Sequence, residues 1–417
     1  MPGRAVSGKT GVQQLIHHSP LPRALAPVVA LGLLLMSAGF YLFPDYGAVA
    51  RCFYLLVLLP VVVLALLRPG ALAMPPLQAL VFLPLPLYLA LSTTWGLAGT
   101  GAAGPQYWDL VKPALFLAAL LGGSHLARAR YPNLPALLPR AIVLAALPSA
   151  LTGLAQYLPQ ALESGDWPRM AGISLRGDIN VNAALHGLSC LFCAWGLRHW
   201  SPRWRPWLWC TLPLSLLSAL LSQSKVGLLL GLLALAALAW SALRHSGRQW
   251  LATGLALAGL ALLLAFFAGF ERIPFLYRLE GYSVRLDLWS QGVEQAARHP
   301  WLGHGLGADL PLTRFGEPYH SHVHNLLLGT LRYGGVIGLG LILWQLGGTL
   351  WLAWRERLWR GDDGALLMWW LAGLAFLLTN GSQPLLKPHH TWFFYWIPLA
   401  LLLASAAGRS QKPSTSR

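Results

Sequence analysis

The sequence predicts an all-α, polytopic integral membrane protein with about twelve transmembrane helices. Hydrophobic residues make up 56% of the 417 residues and charged residues only 11%, whereas a typical soluble domain is roughly 25% charged. Apolar segments of about 17–25 residues, each long enough to cross a bilayer, recur along nearly the whole chain. The 20 tryptophans suit the aromatic belts found at the two membrane surfaces.

The predicted helices follow these apolar segments in chain order. A basic tail, residues 1–26, precedes the spans of residues 27–270; a polar loop covers residues 271–322, more spans occupy residues 323–407, and a polar tail covers residues 408–417. The first span is expected to be retained rather than removed as a signal peptide. The spans are predicted near residues 27–43, 49–67, 76–94, 110–126, 136–158, 181–198, 206–222, 226–243, 249–270, 323–354, 363–381 and 389–407.

The distribution of basic residues predicts the orientation of the chain. With the N-terminus inside, arginines recur in the inward loops, whereas the short outward loop of residues 95–109 contains none. This asymmetry is typical of membrane proteins whose positive loops face the cytoplasm. Both tails are therefore predicted to be cytoplasmic and the loop of residues 271–322 periplasmic. The formal net charge of +16 is scattered between apolar segments, so no nucleic-acid partner is predicted.

The four cysteines, Cys52, Cys190, Cys193 and Cys210, all lie within apolar segments. Their spacing predicts neither a disulfide framework nor a zinc site. Cys190 and Cys193 form a CxxC pattern, but on a buried helix this pair is expected to serve core packing.

Basic residues outside the inward loops are not required by the topology and are candidates for anion binding. Lys225, in LSQSKVG, lies between two spans with almost no loop, and Arg285 lies in SVRLDLW. An ammonium or a guanidinium at the membrane surface suits a diphosphate group. The alternative for Lys225 is a turn lysine that extends to the headgroups. The other residues of this kind are Arg51, Lys112, Arg169, Arg176, Arg272, Arg278, Arg298, Arg314, Arg332 and Lys387.

The loop of residues 271–322 is too long to lack structure of its own unless it is functional. Within it, Ser283–Arg298 places Val284, Leu288 and Ala296 among polar residues at helical spacing. This pattern predicts an amphipathic helix over the outer face of the bundle, ended by Pro300 and a glycine-rich run.

Two asparagines follow Arg169 at the start of the sixth predicted span. Asn180 is expected to cap that helix, whereas Asn182 could cap it or bind a sugar or phosphate. His304, in WLGHGLG, is expected to be structural. The acids of the long loop, Asp287, Asp309 and Glu317, show no spacing for Mg²⁺ or Ca²⁺, so no cofactor is predicted.

Three histidines, His320, His322 and His324, lie within five residues at the mouth of the tenth predicted span. Ionisable groups at a membrane boundary are costly unless they have a function, and an imidazole can accept a proton near neutral pH. His324 is the candidate proton acceptor. The alternatives are an interfacial helix cap and a metal site built from all three histidines.

The motifs around these residues resemble those of bacterial O-antigen ligases. His324-Asn325 followed by Gly335-Val-Ile-Gly338, and Arg285 in RLDLW followed by HPWLGHGLG, are similar to the family signature. LSQSK at residues 221–225 resembles the SxSR-type motif, with lysine where arginine is common. RMAG at residues 169–172 with NVN at residues 180–182 resembles the family's Arg-x-x-Gly and Asn-rich segment.

This resemblance implies a metal-independent glycosyltransferase of the GT-C type in the bacterial inner membrane. It would move a glycan from undecaprenyl diphosphate to a sugar hydroxyl of lipid A–core at the periplasmic face. His324 would be the base, and the diphosphate would bind Arg285, Lys225, Arg169 and Arg314, supported by His322, Asn325 and Asn182.

Three alternatives remain open. O-antigen polymerases and protein O-oligosaccharyltransferases share the superfamily's fold and donor but differ in acceptor. A secondary transporter of an anion would also contain many spans and membrane arginines. The clustering of the candidate groups on one face, and the absence of an evident pair of broken helices, argue against a transporter.

Overall fold

The computed structural model describes residues 19–98, 100–101, 103–165, 167–243, 280–315, 317–320 and 322–410. Most of these residues are helical, as predicted. The predicted span of residues 249–270 and the start of the polar loop lie outside the described residues. The helices are α1 Pro20–Leu42, α2 Tyr46–Leu67, α3 Pro76–Phe82, α4 Pro84–Gly96, α5 Gly104–Arg130, α6 Leu134–Ser164, α7 Ile179–His199, α8 Arg205–Leu221, α9 Lys225–Leu243, α10 Glu280–Arg298, α11 Leu326–Arg355, α12 Asp363–Asn380 and α13 Trp392–Ser410. A small antiparallel sheet consists of β1 Leu312–Arg314 and β2 Glu317–His320.

The helices confirm the predicted class, an all-α polytopic membrane protein. Among the described residues, 7 helices are long and apolar enough to cross a membrane, or up to 8 when the bent pair α3–α4 counts as one span. Helices α7, α8 and α9 coincide with predicted spans, but they are shorter or less apolar than these membrane-length helices. The number twelve therefore stays a prediction.

The chain divides into two compact units. The first comprises the described parts of Met1–Met36, Val49–Leu138 and Trp289–Arg417, and the second those of Ser37–Ala48 and Pro139–Leu288.

The core of the first unit is aromatic and centres on α13. Every residue from Trp392 to Ala407 is buried, and this helix packs against α5, α11 and α12. The ring centroids of Trp392 and Phe53 lie 4.8 Å apart, and those of Trp369 and Phe393 lie 4.9 Å apart. Large aromatic side chains bury much apolar surface each, so they dominate the packing energy of this unit.

The first unit contains two clusters of ion-paired side chains. Asp363, almost fully buried, forms ion pairs with Arg128 and Arg409, and all three residues belong to segments predicted to face inward. Asp109 forms ion pairs with Lys112 and Lys387, all three from segments predicted to face outward. The contacts agree with the predicted alternation of loops. They also give two of the outer basic residues an acidic partner.

Two helical segments of the first unit are broken, namely the α3–α4 pair and α11. This corrects the expectation that the chain has no pair of broken helices. Helices α3 and α4 meet at an angle of 44°, where Pro84 begins the second helix and cannot donate a backbone hydrogen bond. Helix α11 is interrupted at Gly335, whose φ of 61° and ψ of −164° are accessible only to glycine. The absence of broken helices therefore no longer argues against a transporter.

The loop after α10, which contains Gly303, Gly305 and Gly307, forms hydrogen bonds with α11 at its break. The backbone N–H groups of His304 and Gly305 donate to the carbonyls of Arg332 and Tyr333, at 3.0 and 2.9 Å. In the other direction, the N–H of Val336 donates to the carbonyl of Pro300 at 2.8 Å. The loop thus satisfies groups that the interrupted helix leaves unpaired, as a lipid-buried backbone requires.

In the second unit, α7 packs against both α8 and α9. Gly187 and Gly227 allow the close approach of α7 and α9, because a Cβ added at Gly187 would lie 2.6 Å from the carbonyl oxygen of Gly227. Small residues commonly permit such contacts between membrane helices. Cys190 and Cys193 are buried on α7, which confirms the prediction that they serve core packing.

Candidate active site

The His322–His324 segment lies between β2 and α11 in the first unit. The two imidazoles are half-buried, with ring centroids 4.2 Å apart. His324 has a φ of 52°, in the left-handed region that non-glycine residues rarely adopt. Asn325 caps α11, because its Oδ1 accepts from the N–H groups of Leu327 and Leu328, both at 3.0 Å. The strained turn and the cap together fix His324 directly ahead of the helix.

Two further histidines, which the sequence analysis did not single out, belong to this region. His389 and His390 lie between α12 and α13 with ring centroids 3.9 Å apart. Burial, assisted by the neighbouring His322, lowers the pKa of His389 to about 4. The first unit therefore contains a second pair of adjacent imidazoles besides that of His322 and His324. The only sequence signal for the second pair was the dipeptide itself, at the edge of a predicted span.

The described part of the polar loop contains one helix and a β-hairpin, and it contacts the histidine segment. The amphipathic helix is confirmed as α10, which begins three residues earlier than predicted, and it buries Leu288 and Ala296. Trp289 Nε1 donates to the carbonyl of Val323 at 2.9 Å, directly next to His324. Gln291 exchanges two hydrogen bonds with the backbone of Thr313 on β1. These contacts tie α10 and the β-hairpin to the histidine segment.

Two basic residues belong to these elements or contact them. Arg314, on β1, is half-buried and its guanidinium lies 5.0 Å from the ring centroid of Phe315. Arg332, on α11, is fully buried and donates from Nε and Nη2 to Gln295 Oε1 at 2.9 and 2.6 Å. Among the described residues it has no carboxylate partner. Arg332 therefore anchors α10 to the broken helix.

His304 also contacts α10, because its Nε2 lies 2.7 Å from the carbonyl oxygen of Gln295. Burial is the main cause that lowers the pKa of His304, and the hydrogen bond to that carbonyl opposes it. The geometry supports the structural role predicted for this residue.

In the second unit, the three motifs at residues 169–172, 180–182 and 221–225 come together. Arg169 donates from Nε to the carbonyl of Ser222 at 3.1 Å and from Nη2 to Asn180 Oδ1 at 2.8 Å. Asn182 is buried and donates to Ser222 Oγ at 3.3 Å. Lys225, half-buried, is the first residue of α9. Arg169 and Asn182 therefore both hold the turn that leads into Lys225.

The structure corrects the expected cap of α7. Asp178, not Asn180, is the N-cap residue, since its Oδ1 accepts from the N–H of Val181 at 3.2 Å. Asn180 lies inside the first turn, where its side chain accepts from Arg169 instead. Gly172, with a φ of 75°, makes room for Asn182, because an added Cβ would lie 2.3 Å from Asn182 Oδ1.

Arg285 lies on α10 one turn before Trp289 and is half-buried. The predicted site residues thus divide between the units. His322, His324, Asn325 and Arg314 belong to the first, and Arg169, Asn182, Lys225 and Arg285 to the second. Among the residues that the structure describes, no group of three or more His, Cys, Asp or Glu side chains has the geometry of a metal site.

Comparisons with known proteins agree with the resemblance of the motifs. The family model described as O-antigen ligase matches residues 210–343. The chain is also 30% identical over 391 residues to a protein of Pseudomonas aeruginosa named O-antigen ligase, with 90% of each chain covered.

Proposed function

The chain belongs to the O-antigen ligase family, and from that premise we propose that it transfers a glycan from undecaprenyl diphosphate to a sugar hydroxyl of lipid A–core. The family acts in lipopolysaccharide biosynthesis. The reaction proceeds at the periplasmic face of the inner membrane, without a metal ion and with inversion at the anomeric carbon. One observation carries the chemical part of the proposal, namely the position of His324 in a strained turn at the mouth of α11.

His324 acts as the general base. Its imidazole accepts the proton of the acceptor hydroxyl while that oxygen attacks the anomeric carbon, and the bond from this carbon to the diphosphate oxygen breaks. General-base assistance of this kind is typically worth about 10²–10⁴-fold in rate. Asn325 and His322 orient the base, the first through the capped helix and the second through the contact between the two rings.

Positive side chains stabilise the leaving diphosphate. Lys225 and Arg285 neutralise its developing charge, and Arg314 is a further candidate for this role. Preorganised charges of this type can contribute several kcal/mol to the transition state. Arg169 and Asn182 act on the same group indirectly, because their hydrogen bonds to Ser222 hold the turn before Lys225. The lipid tail of the donor stays in the bilayer, so the donor enters sideways.

The decisive experiment compares single histidine variants in a transfer assay with purified enzyme, donor and acceptor. If His324 is the base, His324→Ala removes transfer, His320→Ala stays active, and the wild type works in EDTA. If the histidines bind a metal ion, all three alanine variants, His320, His322 and His324, fail and a chelator stops the reaction until one divalent cation restores it. This second pattern would overturn the mechanism while leaving the ligase assignment intact.

The polymerase and the protein O-oligosaccharyltransferase are the alternatives within the superfamily. A cell that lacks this protein should make lipid A–core without attached O-antigen while the lipid-linked polymer accumulates. Loss of a polymerase would instead leave a single repeat unit on lipid A–core. Loss of a protein O-oligosaccharyltransferase would leave lipopolysaccharide unchanged.

A further inference from the structure

We propose that Trp289 is a positioning residue of the active site, whose indole holds the proposed base His324 in place through the backbone of Val323. The inference rests on the proposed function, because it concerns the residue assigned there as the general base. Trp289 lies on α10, and Val323 directly precedes His324 in the chain. All three residues belong to the first unit.

The indole fixes the peptide group that precedes His324. Trp289 Nε1 donates to the carbonyl of Val323 at 2.9 Å, and this carbonyl shares one planar peptide group with the N–H of His324. On the other side of His324, Asn325 is held by its cap of α11. A change of the His324 φ from 52° to an ordinary negative value would therefore rotate the peptide plane and break the indole bond. The bond thus opposes relaxation of the turn.

Helix α10 also packs directly on the side chain of Val323. Val323 is fully buried, and a Cβ added at Gly292 would lie 2.7 Å from Val323 Cγ1 and 3.0 Å from Leu328 Cδ2. Gly292 lies three residues after Trp289 and hence on the same face of α10. The glycine therefore lets this face approach both the residue before His324 and the first turn of α11.

A separate set of hydrogen bonds fixes the position of α10 itself. The buried guanidinium of Arg332 on α11 donates twice to Gln295 Oε1, and its Nη2 also donates to the carbonyl of Leu310 at 2.8 Å. Gln295 Nε2 donates in turn to the carbonyl of Pro311 at 2.9 Å. Hydrogen bonds from a charged donor are stronger than neutral ones. Trp289 is therefore held relative to α11 by contacts that do not involve the histidine turn.

The position of the base determines its effect on the rate. A general base must lie within hydrogen-bond reach of the proton that it accepts, at about 2.6–3.2 Å between heavy atoms. A displacement of about 1 Å can lower the rate by about 10²-fold. Trp289 acts through His324 rather than on a substrate. Its loss should therefore lower kcat without changing KM.

The test is Trp289→Phe, which removes the N–H donor and keeps an aromatic ring. With kcat expressed per folded, monodisperse enzyme, this variant should lose about 10–10²-fold in kcat, with KM for donor and acceptor unchanged. The matched control is Trp344→Phe, because Trp344 lies on α11 beyond its break and donates Nε1 to the carbonyl of Leu80 at 3.2 Å. The control loses a bond of the same kind and should keep the wild-type kcat.

A second variant covers the case in which Trp289→Phe does not fold. Gly292→Ala places a methyl group against Val323, whose β-branched side chain has little freedom to turn away. It should also lower kcat at unchanged KM, whereas Gly340→Ala, whose Cβ meets nothing within 4 Å, should not.

Three results would overturn the inference: a wild-type kcat for folded Trp289→Phe, a loss that appears in KM instead, or an equal loss in Trp344→Phe. If Trp289→Phe does not fold, a wild-type kcat for Gly292→Ala would overturn it. Each of these results leaves the proposed function standing if the wild type transfers glycan and His324→Ala does not. Transfer by His324→Ala at the wild-type rate would instead refute the proposed base.

Discussion

Replacement of Gly335 by alanine is the most direct perturbation of the broken helix. The residue has φ 61° and ψ −164°, and a non-glycine residue held in such a conformation costs of order 1–3 kcal/mol. The added Cβ would also lie 2.2 Å from the carbonyl oxygen of Trp301 and 2.5 Å from the N of Gly303. Both are backbone atoms, so no side-chain rotation can relieve the contact and the loop must move.

Displacement of the loop costs hydrogen bonds. The N–H groups of Val336 and Ile337 donate to the carbonyls of Pro300 and Trp301 at 2.8 and 3.3 Å, and each bond is worth about 0.5–1.5 kcal/mol net. Together with the backbone strain, Gly335→Ala should destabilise the protein by about 2–6 kcal/mol. That is a large part of the about 5–15 kcal/mol that stabilises a typical native protein.

Thermal unfolding of the detergent-solubilised protein, followed by tryptophan fluorescence, would measure this loss. The matched controls are Gly340→Ala and Gly347→Ala on the same helix, because a Cβ at either position meets nothing within 4 Å. In a helix interior alanine is favoured over glycine by about 1 kcal/mol, so the controls should be neutral or slightly stabilised. If Gly335→Ala unfolds at the same temperature as the controls, the account of the break is wrong.

Three other predictions follow from the charged residues. Lys225→Arg should retain transfer, and Lys225→Ala should lose most of it. Arg285→Ala should abolish transfer, and Arg285→Lys should restore only part of it, because lysine keeps the charge but lacks the planar guanidinium. Wild-type transfer by Lys225→Ala would show that the second phosphate ligand is another residue. With the native cysteines removed, an impermeant reagent applied to intact spheroplasts should label a cysteine at Ser290 and not one at Ser246; the reverse pattern would refute the topology. Asp363→Asn should lower the free energy of unfolding by about 1–3 kcal/mol, because the carboxylate that forms ion pairs with Arg128 and Arg409 loses its charge at a buried position. An unchanged unfolding temperature would contradict this.

The helices could be predicted from the sequence because the length of an apolar segment is a strong signal. The amphipathic helix was predicted with the correct end at Arg298, since Pro300 and the glycines that follow it stop a helix wherever they occur. The cap of α7 was misassigned because Asp178 and Asn180 have similar capping propensity. The choice between them depends on Arg169, which is distant in sequence and occupies the side chain of Asn180.

The broken helices could not be predicted, although their residues are visible in the sequence. Proline and glycine are common in membrane helices, and most of them leave the helix intact. Gly334, Gly335 and Gly338 look alike in the sequence, yet only Gly335 has a positive φ. That difference arises because the loop around Gly303 packs against it, a tertiary contact that no local pattern encodes.

The deep burial of α13 also bears on the order of biosynthesis. This helix follows all the other described helices in the chain, yet its aromatic start packs against Phe53 of α2. Helices α2, α5 and α12 are therefore synthesised before the helix against which they pack, and they lack that partner until α13 has been made. A nascent chain stopped before Trp392 would expose those faces to lipid and to quality-control proteases. Assembly of the first unit is therefore expected to follow the insertion of α13 rather than to proceed helix by helix.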